Sequence, residues 1–324
     1  MINRNRKRPD PAESALQALA DLQPDTDRAT QNQALSEALA NASFRVVAKA
    51  ATLAGERMLH ERSSDLLAAW PHFLDDAAKR DPQCIAKSAI CAALLALECD
   101  NTAFWLGGIR YVQLEPAWER PADTAADVRC ICAMGLVNSR YRRAIIELVS
   151  LLNDPEYRVR SGAARAIACG DPQQAEPVLR LKIHIGDPEA EVLGECFTAL
   201  LSVAPEDSMA LVGSRLRDAD EAVRDYAALA LGESRHPLAL DLLRTAWDDP
   251  LLSHDLRGVL VRAAALHRSE AAFDWLLGIV EKGRNAEAAF AVDALSVYDR
   301  NSKLMQRLET AQASRRQAQG RTTR

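Results

Sequence analysis

The sequence predicts an all-α protein, an α-solenoid of about eight antiparallel helix pairs, and three observations predict it. Hydrophobic residues make up 48% of the 324 residues while glycine and proline number only fourteen each, a balance that favours helices over turn-rich β structure. A four-position apolar frame recurs along the chain, and most copies are preceded by a helix-start signal.

The frame is clearest in "DPEYRVRSGAARAIAC", Asp154 to Cys169, where Val159, Ala163, Ala164 and Ile167 fall on one helix face. Val223, Ala227, Ala228 and Leu231 repeat it. Counting from the first apolar slot (i, with the others at i+4, i+5 and i+8), the copies begin at 46, 86, 128, 159, 192, 223, 256 and 287, separated by 40, 42, 31, 33, 31, 33 and 31 residues. The last copy has Glu287 in its first slot. Such a period marks a repeat architecture.

Five residues before the first slot stand Asn41, Asp81, Asp123, Asp154, Asp187 and Asp218. These side chains are expected to cap helix N-termini, with Pro82, Pro155 and Pro188 at the first helical position. Further amphipathic segments such as "YRRAIIELVSLL" and "AAFDWLLGIV" lie between the capped helices, so each period holds two helices. One pair cannot bury its apolar face alone, whereas stacked pairs can. The small i+4 and i+5 residues allow close approach.

The expected organisation is a basic tail and capping helix over 1–29, helix pairs over 30–99, an aromatic insert or junction over 100–124, further pairs over 125–301, and a terminal helix with a basic tail over 302–324. The insert holds Phe104, Trp105, Tyr111 and Trp118. Loops on rigid scaffolds often carry function, which makes Trp105, Tyr111 and Trp118 candidate contacts for a partner. The competing expectation is that they plug an irregular junction.

"DADEAVRDYAALALG" and "DPEYRVRSGAARAIA" resemble HEAT repeats, in particular the short HEAT-like repeats of the phycobilisome-lyase type, most strongly over 120–265. The resemblance implies a solenoid and leaves function open. A basic residue follows the first slot in five copies, namely Lys87, Arg129, Arg160, Arg224 and Arg257. By the resemblance these bond back to turn aspartates as a structural ladder; the alternative is a stripe that contacts a ligand. The resemblance also places the capped helices on the concave surface, where slots i+2, i+3 and i+6 are expected to be exposed. They hold Ser161, Gly162 and Arg165, then Asp225, Tyr226 and Leu229, then Gly258, Val259 and Arg262. A mixed face of this kind suits a protein partner, and Arg165, Tyr226 and Arg262 are its candidate contacts.

The net charge is −5, but Arg4, Arg6, Lys7 and Arg8 near the start and Arg315, Arg316, Arg321 and Arg324 near the end leave −13 for the remainder. An acidic body is poorly suited to a phosphate backbone, so nucleic acid is an unlikely partner. No apolar run reaches membrane-spanning length and no secretory signal is evident, so the chain is expected in the cytoplasm. Cys130 and Cys132 are two apart on a helix without a nearby histidine, and Cys91, Cys132 and Cys196 fill packing slots, so no metal is expected. HEAT-like di-iron hydroxylases carry several His-Glu pairs; this chain has one, His60-Glu61. No nucleophilic triad or phosphate-binding loop stands out, and no cofactor is expected. The expectation is a non-enzymatic scaffold or adaptor for a protein partner. The alternatives implied by the resemblance are a lyase-type protein acting on a chromophore-bearing partner and, more weakly, a DNA-binding glycosylase.

Overall fold

The structure, a computed structural model, describes residues 10–23, 25–118 and 120–322, with side chains to 319. The basic residues Arg4, Arg6, Lys7, Arg8 and Arg324, and the side chain of Arg321, lie outside the described residues.

The repeat frame becomes the packing seam of two compact units, Met1–Cys169 and Gly170–Arg324. The first contains α1 (Pro11–Ala20) and four helix pairs. These are α2 (Arg28–Leu39) with α3 (Phe44–Glu56), and α4 (Ser63–Ala69) with α6 (Ile85–Ala96), joined through the short α5 (Ala77–Arg80). They continue with α7 (Thr102–Gly108) and α8 (Ala126–Asn138), then α9 (Ala144–Leu151) and α10 (Tyr157–Ala168). A two-stranded antiparallel hairpin, β1 (Leu114–Glu115) and β2 (Ala122–Asp123), stands between α7 and α8.

The second unit pairs α11 (Pro172–Ile185) with α12 (Ala190–Val203), α13 (Pro205–Ser214) with α14 (Glu221–Ser234), α15 (Pro237–Trp247) with α16 (His254–His267), and α17 (Glu270–Lys282) with α18 (Asn285–Ser296). The final helix is α19 (Ser302–Thr322). Each unit is a stack of antiparallel pairs, so the fold is the all-α solenoid type, with eight pairs among the described residues.

In every pair the second helix carries the frame. These helices form an inner row, α3, α6, α8 and α10 in the first unit and α12, α14, α16 and α18 in the second, each packed on its neighbours within the unit. Of the 32 frame positions, 30 are buried; the exceptions are Glu287 and Val292, both in α18. Close approach is extreme at Gly232, where a Cβ would overlap the Ala263 carbonyl of α16, and at Gly194, where it would lie 2.6 Å from the Tyr226 ring.

Asp81 caps α6 as expected, accepting the Ala86 and Lys87 amides of its first turn, whereas the other five side chains before the frame act differently. Asn41, Asp123, Asp154, Asp187 and Asp218 accept bonds from the amides of Ser43, Ala125, Glu156, Glu189 and Asp220, two residues on, at 2.8–3.1 Å. Those amides belong to the N-cap residues themselves. The side chains therefore form Asx turns that steer the chain into the helix, one step before the cap. Pro155 and Pro188 lie within these turns rather than at the first helical position, and Pro82 opens a short 3-10 turn, Pro82–Cys84.

Five inner helices end on a left-handed residue, Met58, Glu98, Arg140, Arg235 and Arg268, each twelve positions after its first slot. None is glycine, so each position carries a strain of about 1–2 kcal/mol that packing of the following helix must offset. At the other end of the chain, Arg315 is not part of a loose tail: its guanidinium donates to the Val280 and Gly283 carbonyls at 3.1 and 2.7 Å.

The seam yields a stability test. Gly232→Ala forces a methyl against helix backbone and is expected to lower stability by about 1–3 kcal/mol, read by denaturant unfolding. Gly107, exposed in α7 with open space around it, is the control: Gly107→Ala is expected to be neutral or to stabilise by up to about 1 kcal/mol.

Candidate functional site

The insert is the place where the repeat departs from two plain helices. Asn101 caps α7 by accepting the Phe104 amide at 3.1 Å, and the short helix then inserts Trp105 into the first unit. Its indole is completely buried and donates to the Cys99 carbonyl at 2.9 Å, against a helix opened for it by Gly135. Trp105 is thus a core residue and not a partner contact. The apolar ring has a binding slot on α8 and its one polar atom is satisfied.

After α7 the chain crosses a buried polar cluster. Tyr111 is half-buried, donates to Gln113 Oε1 at 2.8 Å, and sits edge-on to Trp70 with centroids 5.7 Å apart. Burial, then nearby Cys84 and Asp81, push its phenol up from the usual range. Gln113 donates to the Asp81 carbonyl at 2.9 Å and to Glu115 at 2.7 Å. Glu115 also accepts from the Gln83 amide at 2.6 Å and from Thr124 at 2.8 Å. Desolvation opposes ionisation of Glu115, but the bonds from Gln113, Thr124 and Gln83 outweigh it and hold the carboxyl below its ordinary value. Tyr111 therefore belongs to the base of the hairpin, and its expected role as a partner contact is replaced by a structural one.

The ladder cations complete this base. Lys87 and Asp81 are fully buried and 2.8 Å apart, and Lys87 Nζ also donates to the Phe73 carbonyl at 3.1 Å. Asp81 accepts the Ala86 and Lys87 amides at 2.7 and 3.0 Å. Arg129 reaches Asp123 of its own turn at 2.7 Å and Asp154 of the next pair's turn at 3.1 Å, and donates to the Tyr111 carbonyl at 2.9 Å. Arg160 donates to the Asp154 and Pro155 carbonyls, and Arg224 to the Asp218 and Ala219 carbonyls. Arg257 stacks on Trp247 and reaches Glu287 of the following pair at 3.6 Å. All five side chains are directed into the protein's own turns and helices.

On this base stands the hairpin, with Leu114 opposite Asp123 and Glu115 opposite Ala122. Its loop carries Trp118 between Pro116 and Pro121. Trp118 is fully exposed, and Val112 and Leu114 are more than half exposed. An unburied tryptophan, on an arm whose base is hydrogen-bonded, has the chemistry of an interface anchor.

The inner face differs from the expected row of exposed side chains. Ser161, Gly162, Gly258 and Val259 are buried, because neighbouring helices cover these slots: a Cβ on Gly162 would meet Cys130 Sγ at 2.7 Å, and Gly258 lies against the Phe290 ring. Arg165, in the first unit, and Arg262, in the second, are exposed. Tyr226 is half-buried with its ring over Gly194, so it packs as well as presents.

His60-Glu61 holds a helix clip: Glu61 takes a two-bond contact from Arg28 at 2.8 Å and one from Asn32 at 2.6 Å, which hold its carboxyl well below the usual range. Cys84, Cys91, Cys132 and Cys196 are buried, and Cys91 and Cys132 sulfurs lie 3.6 Å apart. Desolvation pushes the Cys196 thiol up to about 12 and the Cys84 and Cys130 thiols up to about 11, far from the thiolate a nucleophile needs. Cys169 is exposed. Among the described residues no group of three or more His, Cys, Asp or Glu side chains is arranged to hold a metal ion, and no helix is long and apolar enough to cross a membrane.

Residues 177–265 match the family model for HEAT repeats, and that segment of the second unit is made of them. Among solved structures the chain is similar to the complex of CpcE and CpcF of phycocyanin lyase from Nostoc sp. PCC7120, with 17% identity, 97% of this chain and 99% of that chain covered, and a TM-score of 0.38. It is also similar to human deoxyhypusine hydroxylase in complex with glycerol, with 17% identity, coverage of 79% and 95%, and a TM-score of 0.31. No curated protein sequence matches the chain.

Two outcomes test the reading of the buried groups. Lys87→Met leaves the Asp81 carboxylate buried without its cation and is expected to lower stability by about 3–5 kcal/mol, measured by urea unfolding. A thiol reagent is expected to react first at Cys169 in the native protein, and at Cys84, Cys91, Cys132 and Cys196 only on unfolding, as read by peptide mass mapping.

Proposed function

We propose that the protein is a non-enzymatic scaffold or adaptor that acts in the cytoplasm and binds a protein partner, with the hairpin of the first unit as its principal contact. The observation that carries this reading is Trp118, fully exposed at the end of an arm whose base is fixed by the Gln113–Glu115–Thr124 network and the Lys87–Asp81 pair. Exposing an indole to water is unfavourable by the area it fails to bury, about 25 cal/mol per Å² of apolar surface, and a partner that covers it recovers that energy. A rigid arm also loses little conformational freedom on binding. Arg165 and Arg262 are secondary contacts, exposed cations of the kind that set partner choice and association rate more than affinity.

Support for the non-enzymatic reading comes from the satisfied state of the buried polar cluster. Its lysine is paired, its carboxylates accept hydrogen bonds from fixed donors, and its cysteine is held as a thiol. Seven unpaired cysteines, one of them exposed, suit a reducing compartment.

Affinity capture from native lysate with quantitative mass spectrometry tests the reading by comparing the wild type with Trp118→Ala. The variant is expected to keep the circular-dichroism melt of the parent and to lose at least about tenfold of one specific partner, since central tryptophan anchors are worth 2 kcal/mol or more. An unchanged capture profile would refute the hairpin as the contact.

A further inference from the structure

The α18 edge of the second unit is built like an interior seam, and among the described residues no inner helix packs on it. In the inner row, slots i+2, i+5 and i+9 face the following helix. Gly258 at i+2 of α16 receives Phe290 of α18, Gly194 at i+2 of α12 receives Tyr226 of α14, and Gly232 at i+9 of α14 meets the Ala263 backbone. In α16 these three slots, Gly258, Val261 and Ala265, are all buried. In α18 they are Ala289, Val292 and Ser296, the same small, apolar, small sequence, yet Ala289 and Ser296 are exposed and Val292 is half-buried.

The terminal helix does not cover them. Leu304, Leu308 and Ala311 of α19 join the core with Leu276, Leu277 and Val280 of α17, and Arg307 pairs with Glu270 and Asp274 of α17. Thus α19 continues the outer row, and the position of a further inner helix stays open. A hollow of about 520 Å³ lies there between α18 and α19, with Ala289, Val292, Asp293 and Arg316 in its lining.

The charges of this hollow suggest its occupant. Asp293 and Arg316 are exposed, and no ion pair within the described residues joins either of them. Gln319 bonds Asn285 at 3.2 Å, so α19 runs antiparallel to α18 and Arg316 lies level with the first half of α18, whereas Asp293 lies in its second half. A second α18 laid antiparallel across the first therefore brings Asp293 of each chain towards Arg316 of the other. One unpaired anion and one unpaired cation, exchanged by a two-fold axis through the seam, are what an isologous contact requires.

The geometry points to self-association: the α18–α19 face takes a second copy of the chain across a two-fold axis, with Ala289 and Val292 at the seam and two Asp293–Arg316 pairs flanking it. The same close-packing chemistry that stacks the repeats inside the chain is used once more between chains.

Sedimentation velocity of the full chain over a wide concentration range tests this. The wild type is expected to shift from monomer to dimer. Ala289→Glu, which adds a carboxylate to an exposed seam position, is expected to raise the dimer Kd by at least about tenfold. Asp293→Arg and Arg316→Asp are each expected to weaken the dimer, and the double variant Asp293→Arg/Arg316→Asp to restore it, because the swapped charges meet again. All substituted positions are exposed, and circular-dichroism melts equal to the parent's confirm that each variant folds. A wild type that remains monomeric at every concentration overturns the proposal, as does a dimer indifferent to Ala289→Glu. A double variant no better than the singles overturns the charge pairing and with it the two-fold arrangement.

Discussion

Close approach between successive inner helices is the constraint on which the rest of this structure depends. The backbone of α16 comes so near to α14 that only glycine fits at 232, and rings from one helix pack against glycines of the helix before. Such contact distances require small residues at the seam and a chain that enters each helix at a set angle. The Asx turns supply that angle, and the cations after the first slot hold the turns. Arg129 shows the coupling most directly, since one guanidinium grips the aspartate of its own turn and that of the next. Substitution of Arg129 therefore disturbs two pairs at once.

The hairpin follows from the same constraint. Where the period stretches to 42 residues, the outer helix is only the seven-residue α7, too short to cover its partner unaided. Trp105 fills the remaining space against Gly135, and the extra chain returns over a hydrogen-bonded polar cluster. A buried network of this kind rigidifies what it supports. The result is a loop with a fixed foundation and an exposed Trp118, which is an unusual place for a tryptophan unless another surface covers it.

Much of the fold was legible in the residues. The frame starting at 46, 86, 128, 159, 192, 223, 256 and 287 marks the eight inner helices, and the two frame positions that escape burial, Glu287 and Val292, belong to the last of them. The surface was harder to read, because a single helix wheel cannot say where the neighbouring helix lies. Ser161, Gly162, Gly258 and Val259 look exposed on one helix and are buried once its neighbours are in place. The left-handed ends at Met58, Glu98, Arg140, Arg235 and Arg268 leave no signal at all, since none carries the glycine that usually announces them. In the insert, composition gathered the aromatics correctly but could not sort them. Only the packing shows that Trp105 is core, Tyr111 foundation and Trp118 tip.

Hydrogen exchange of the free protein, resolved by residue, is the most direct test of the rigid-arm account. The amides of Gln83, Gln113 and Thr124, which donate to Glu115, Asp123 and the Gln113 carbonyl, are expected to exchange as slowly as those of α8, opening only when the first unit opens. The loop around Trp118 is expected to exchange rapidly. Exchange of all these amides at the rate of an unstructured loop would contradict the account, because the tryptophan would then ride on a mobile segment rather than on a built arm.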